Sequence, residues 1–255
     1  MTYKPELDVV LEEPWVKLRS NNDLKNWDKE DEIRWNQVHR QTEKYKFYIK
    51  AFDFISENNV TGDYYEFACH KARTFRMALT EARHHNLDEM RFLAFDSFKG
   101  LPSKEGDDAM GEKWGTGKLA TTQNQFMEMI RLHGLYTNQI HLYPGFYDKS
   151  LNIDLIATLK KMNSLPSLIC VDCDLYESAV PVFKFIENFL QEGTIIYIDD
   201  LFAGYKGNPM KGVGRAFLEY QSSSSWKFIP HINIGWWGRS YVVCRLGEAP
   251  NTSIL

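Results

Sequence analysis

Four aspartates stand at the ends of two short apolar stretches of the chain. Asp172 and Asp174 follow the run LICV at 168–171, and Asp199 and Asp200 follow the run IIYI at 195–198. Short runs rich in Ile and Val that end in polar residues are typical of buried parallel strands at their carboxyl ends. Ligands bind at that edge of an open α/β sheet. We therefore expect the four carboxylates to meet in one crevice.

Crowded carboxylates repel one another, and a hard divalent cation with oxygen ligands relieves that repulsion. The sequence thus predicts a metal site in this crevice. Asp172-Cys173-Asp174 is also a D-x-D pattern of the kind with which metal-dependent glycosyltransferases hold a sugar nucleotide. The aspartates alone do not decide between a glycosyltransferase and another metal-dependent enzyme.

The composition describes an ordinary globular protein. The chain has 255 residues, of which 44% are hydrophobic and 25% charged, enough for one large α/β domain. Its net charge of -4 comes from interspersed signs, so we expect no nucleic-acid partner. No apolar run reaches the roughly 18 to 20 residues of a membrane span, and the first residues lack a signal-peptide pattern. We expect a cytoplasmic protein with no membrane partner.

The four cysteines do not predict a disulfide framework. Cys170 and Cys173 form a C-x-x-C pattern, but residues three apart on a strand point to opposite faces, whereas a thioredoxin-like pair needs a helix start. With Cys69 and Cys244 they are expected to be buried, reduced thiols.

Residues 1–58 are predicted to form an N-terminal arm followed by helices. The first 28 residues are polar and broken by proline, and 29–57 contain neither Gly nor Pro. This second part has apolar residues at helical spacing, which predicts one or two amphipathic helices. Such helices could be a lid, pack on the sheet or build a homodimer. The predicted apolar residues include Val38, Tyr45, Tyr48, Ile49, Phe52 and Ile55.

Residues 59–255 are predicted to form the main domain, in which strands and helices alternate. The interval 99–120 has five glycines, which predicts a long, functional loop. The last two strands are joined by a turn with Gly235 and Gly238, which predicts an antiparallel hairpin. Strands are expected at 64–68, 91–95, 168–171, 195–198 and 241–244 and near residues 140 and 227, and helices at 73–85, 122–133, 153–161, 177–190 and 210–221.

Five strand-helix units followed by a hairpin resemble the class I methyltransferase fold, a doubly wound, mostly parallel seven-stranded sheet that binds S-adenosylmethionine. The runs FDSFKGLP at 95–102, VDCDLYES at 171–178 and IDD at 198–200 are similar to the signatures of the TylF family of macrocin O-methyltransferase-like enzymes. The resemblance covers roughly residues 60–245. It implies Mg²⁺-dependent transfer of a methyl group from S-adenosylmethionine to a hydroxyl. The resemblance further implies that this hydroxyl belongs to a sugar in a glycoside or polysaccharide.

The family resemblance also implies residue roles. Asp172, Asp199 and Asp200 match the family's metal ligands, Asp174 its general base, and Asp96 the acid that holds the cofactor ribose. Gly145 and Phe146 match the segment that lines the adenine. The residues expected at the cofactor are Glu66, Phe67, Ala68, Thr74, Asp96, Ser97, Gly145, Phe146 and Asp172.

The junction after the first strand departs from the family pattern E-x-G-x-x-x-G. Alanines 68 and 72 stand where both glycines would lie, at a cost of about 1 to 2 kcal/mol if the loop needs positive φ. A non-catalytic binding protein descended from a methyltransferase is therefore a third alternative. Candidates for the acceptor entrance are Lys113, Trp114, Lys118 and Tyr205.

Overall fold

The computed structural model describes residues 29–103 and 115–245, with side chains from residue 38 onward. One sheet with the strand order β3-β2-β1-β4-β5-β7-β6 organises this part of the chain. The first five strands are parallel, and β7 runs antiparallel to both β5 and β6. The strands are β1 (Asp63–Phe67), β2 (Phe92–Asp96), β3 (Ile140–Pro144), β4 (Pro166–Val171), β5 (Ile195–Ile198), β6 (Lys227–Ile234) and β7 (Gly238–Cys244).

This topology confirms the predicted doubly wound sheet and its antiparallel C-terminal hairpin. The predicted strand and helix positions also agree, within a few residues at the ends. There are two differences. The predicted helix over 177–190 ends at residue 186, and a one-turn helix after β3 was not predicted. The helices are α1 (Lys29–Glu57), α2 (Arg73–His84), α3 (Gln123–His133), α4 (Tyr147–Ser150), α5 (Ile153–Lys161), α6 (Tyr176–Ile186) and α7 (Gly212–Ser223).

The helices cover both faces of the sheet and bury two apolar clusters. Alternate residues of a strand point to opposite faces, so Tyr64 of β1 packs with α1, α2 and α3, and Tyr65 packs with α5, α6 and α7. None of the described helices is both long enough and apolar enough to cross a membrane.

Helix α1 packs on the sheet through a stripe that matches the predicted one only in part. Phe47, Tyr48 and Phe52 are buried, whereas Val38 is 45% exposed and Ile49 is 38% exposed. The predicted stripe was wrong at these last two positions, because it counted apolar residues without fixing the helix rotation. The buried residues of α1 share one core with those of β1, across the boundary that the sequence placed between residues 58 and 59.

All four cysteines are free. Cys69, Cys170 and Cys173 are buried, as expected for reduced thiols in a sheet core, and Cys244 is partly buried on the last strand. Cys170 lies in β4, whereas Cys173 follows the end of that strand. The two thiols are therefore free and buried as predicted, but they do not share one strand as the sequence analysis assumed.

Candidate active site

Three aspartates meet where β4 and β5 end. Val171 pairs with Ile198 in the parallel register, so the next residues, Asp172 and Asp199, are lateral neighbours. The Asp199 amide donates to the Val171 carbonyl oxygen at 2.9 Å, which extends the ladder past the strands. With Asp200, these residues each offer one carboxylate oxygen, and the three oxygens lie within 4.8 Å of one another. The structure thus brings together the carboxylates that the sequence placed at this edge.

Asp174 lies beside this group in a left-handed backbone conformation, with φ of 59°. Burial and the negative charge of Asp172 raise the pKa of Asp174 to about 7. Burial, together with the charges of Asp199 and Asp174, also raises the pKa of Asp200. With a pKa near 7, the Asp174 carboxyl group can exchange protons near neutral pH.

Lys44 of α1 reaches into the same group of carboxylates. Its Nζ donates to Oδ2 of Asp172 and to Oδ2 of Asp199, both at 2.8 Å. Burial alone would lower the pKa of this ammonium, but the two carboxylate charges raise it well above its ordinary value. Lys44 is therefore a charged partner that the sequence analysis did not identify.

Asp199 is held by donors on both of its oxygens. The Trp237 Nε1–H donates to Oδ1 at 2.7 Å, the Tyr197 hydroxyl donates to the same oxygen, and Lys44 takes Oδ2. Burial opposes ionisation, but the Lys44 charge and these hydrogen bonds outweigh it and lower the pKa of Asp199 to about 2. Burial and the adjacent Asp199 charge raise the pKa of Asp172. Asp199 is thus the permanent anion of the pair.

The sequence contained one signal for Lys44. A lysine at this position precedes Tyr48 by four residues, and therefore lies on the helix face that carries the buried stripe. A charged residue on a core-facing stripe needs a buried partner. Trp237 carried no comparable signal, because its role depends on the turn that brings it beside Asp199.

A cavity of about 870 Å³ lies at the carboxyl ends of the strands, with these acids in its wall. Lys118 and Tyr205 are not among its lining residues in the described part of the chain, and Lys113 and Trp114 lie outside the described residues. The predicted site residues that line it are Ala68, Asp96, Ser97, Gly145, Phe146, Asp172, Asp174, Asp199 and Asp200.

The loop between β1 and α2 keeps a glycine-like backbone without glycine. Ala68 has φ of 70°, His70 36° and Ala72 53°. Asp96 supports this conformation, because its Oδ2 accepts from the amides of Cys69 at 2.8 Å and His70 at 3.2 Å. The two alanines have therefore not removed the left-handed turn that positions the loop beside the cavity.

Three residues that the resemblance assigned to the cofactor are buried in the core. Glu66 is fully buried, and its carboxylate accepts from the Thr74 hydroxyl at 2.8 Å and from the Tyr64 hydroxyl. The Phe67 ring stacks on Phe95 at 4.6 Å between centroids. None of Glu66, Phe67 and Thr74 is among the described residues that line the cavity, so their side chains are part of the core beside it.

The donor atoms fit a divalent cation chemically, since three carboxylate oxygens converge and hard cations prefer such ligands. The cavity of about 870 Å³ is also large enough for a nucleoside-sized ligand. Gly145 lies in its wall with φ of 140°, and a Cβ at this position would come within 2.8 Å of the Ser150 Cβ, so the close packing of this turn requires glycine. Asp96 and the loop amides lie at the same edge.

The family model of Macrocin-O-methyltransferase (TylF) matches residues 39–237. The chain belongs to the TylF family. It is therefore a methyltransferase, as the sequence motifs predicted, and not a glycosyltransferase. Among curated proteins no significant match was found.

Solved structures show the same fold as this TylF-family chain. The O-methyltransferase NovP is 19% identical, with a TM-score of 0.61 over 78% of this chain and 79% of its own. CalS11, a calicheamicin methyltransferase, is 16% identical, with a TM-score of 0.61 over 89% of this chain and 88% of its own. At these identities the likeness establishes the fold, and the acceptor has to be argued from the site.

Proposed function

We propose that this methyltransferase transfers a methyl group from S-adenosylmethionine to a hydroxyl of a sugar-containing small molecule or saccharide. The observation that carries the proposal is the group of four aspartates in the cavity wall, one of which, Asp174, has a pKa of about 7. The family and the similar structure of CalS11, which is described as a TDP-rhamnose 3'-O-methyltransferase, support the choice of a sugar hydroxyl.

The cofactor would lie along the carboxyl ends of β1, β2 and β3. Asp96, Ser97, Gly145 and Phe146 line this part of the cavity. Asp96 already accepts three backbone N–H groups, from Cys69, His70 and Phe98. A carboxylate has about four acceptor positions, so Asp96 keeps one for a ribose hydroxyl. S-adenosylmethionine would supply the electrophilic methyl group.

The acceptor hydroxyl must lose its proton to Asp174. A hydroxyl with a pKa near 15.7 and an aspartate with a pKa of about 3.9 differ by about 12 units, or roughly 16 kcal/mol. The raised pKa of Asp174, about 7, removes about a quarter of this gap. The raised pKa of Asp174 therefore makes proton transfer easier, but the pKa of the acceptor hydroxyl must be lowered as well.

Asp172, Asp199 and Asp200 would hold Mg²⁺, as the resemblance implies. When bound, a divalent cation polarises an acceptor oxygen and can lower its pKa toward about 7. The three carboxylates would fix the position of this charge beside Asp174, and Asp199 among them is buried. Orientation of the hydroxyl relative to the methyl donor then supplies much of the remaining rate.

The variant Asp174→Asn tests the base. We expect methyl transfer from radiolabelled S-adenosylmethionine to a panel of glycosides and nucleotide-linked sugars to fall by about 10²-fold or more. Binding of S-adenosylhomocysteine should stay within about twofold, because Asn has nearly the same shape. Asp154→Asn, at an exposed position of α5, is the matched control. Full activity of Asp174→Asn would exclude the assigned role.

A further inference from the structure

Lys44 holds carboxylate oxygens of two of the three aspartates that could bind a divalent cation. Its side chain is 8% exposed, and its ammonium bridges Asp172 and Asp199 with two contacts of 2.8 Å. It comes from α1, separated from these acids by 128 and 155 residues. A buried lysine that bridges two carboxylates is held in place by them, unlike a surface lysine that approaches an acid by chance.

The ammonium and a metal ion would compete for the same oxygens. Oδ1 of Asp199 already accepts from Tyr197 and Trp237, which leaves Oδ2 for a further partner, and Lys44 holds Oδ2. Mg²⁺ needs oxygens at about 2.0 to 2.1 Å in a near-octahedral arrangement. A dication bound there would lie within a few ångströms of the ammonium, where like charges repel more strongly than in water.

We infer that Lys44 is a tethered cation that competes with the divalent cation for Asp172 and Asp199, so that the metal binds only as the ammonium leaves. This inference rests on the metal site of the proposed function. Without metal, Lys44 neutralises the acids and ties α1 to the ends of β4 and β5. Its flexible four-carbon stem lets the ammonium move away while the buried part of α1 stays packed. Lys44 thereby sets the metal affinity of the site.

Calorimetric titration of the full chain with MnCl₂ or MgCl₂, without cofactor, tests this competition. We expect Lys44→Met to bind the cation at least tenfold more tightly than the natural chain. Lys46→Met is the matched control, because Lys46 is on the same helix, its side chain is 59% exposed and it pairs with Glu43. It should change the affinity less than twofold. Equal affinities of Lys44→Met and the natural chain would overturn the inference.

Amine acylation of the natural chain, read by mass spectrometry, provides a second test that needs no variant. Lys44 should be protected without metal and become labelled as the metal saturates, while labelling of Lys46 stays constant. Protection of Lys44 at saturating metal would overturn the inference and leave the proposed metal site intact. If neither the natural chain nor Lys44→Met or Lys44→Gln binds a divalent cation, the inference and the metal part of the proposed function both fail.

Discussion

Glu66 is a buried carboxyl group that the chemistry proposed here does not use directly. Burial raises its pKa to about 7 from 4.5, although the hydrogen bonds from Tyr64 and Thr74 oppose this shift. Tyr64, Cys69 and Cys170 around it also have pKa values raised by burial, so they remain neutral at moderate pH. Glu66 is therefore the group of this cluster that titrates near neutrality.

This shift predicts that Glu66 makes the fold less stable as the pH rises. Between pH 4.5 and about 7 the folded state keeps a proton that the unfolded state has lost, so the free energy of unfolding falls with rising pH. The full effect is about 3 kcal/mol, complete above pH 7. Glu66→Gln should remove it and be more stable than the natural chain at pH 8, with little difference at pH 4.5.

Urea unfolding of both proteins at several pH values measures this difference. Comparing the variant with the natural chain cancels the contribution of Asp172, Asp174 and Asp200, which titrate in both. A difference in unfolding free energy that does not depend on pH would contradict the assignment of a raised pKa to Glu66.

Among the elements, the loop between β1 and α2 carries backbone strain that its sequence makes visible. Ala68 has φ of 70° and is partly exposed toward the cavity. Alanine in the left-handed region costs about 1 to 2 kcal/mol, whereas glycine adopts it freely but adds about 0.4 to 1 kcal/mol of unfolded-chain entropy. Replacing Ala68 by glycine therefore relieves more backbone strain than it costs in unfolded-chain entropy.

Ala68→Gly should therefore stabilise the fold by about 0.5 to 1 kcal/mol. Urea unfolding measures the change. Ala78→Gly, in the buried interior of α2, is the control and should lose about 1 kcal/mol or more. Destabilisation by Ala68→Gly of the same size as Ala78→Gly would show that the loop gains more from the alanine methyl group than it loses in backbone strain.

How far the elements could be predicted depended on whether their signals were local. The apolar runs before Asp172 and Asp199 correctly predicted β4 and β5, because a buried strand and its end can be recognised from a few consecutive residues of the sequence. The face of α1 could not be fixed in this way, since Phe47 is buried and Ile49 is exposed and both are apolar. That distinction arises from contacts with Tyr64 and Tyr197, which are distant in sequence.

For the whole molecule, the topology explains why the acids were predictable and their cation was not. Any doubly wound sheet brings the carboxyl ends of neighbouring parallel strands together, so the aspartates needed no knowledge of side-chain contacts. Lys44 and Trp237 approach Asp199 from opposite ends of the chain, one on the first helix and one in the last turn. The helical spacing from Tyr48 indicates the face on which Lys44 lies. Its carboxylate partners and the position of Trp237 follow from tertiary packing, which has no periodic signal in the sequence.

The same topology predicts how the whole molecule responds to its cofactor. S-adenosylhomocysteine at a hundredfold excess over its dissociation constant should add about 2.7 kcal/mol to the unfolding free energy. For a domain of this size the melting temperature should then rise by roughly 5 to 10 °C. Thermal unfolding with Mg²⁺ present measures the rise, and guanosine at equal concentration is the control ligand. No shift at saturating S-adenosylhomocysteine would mean that Ala68 has narrowed the site against the cofactor, because its methyl group lies where the family carries glycine.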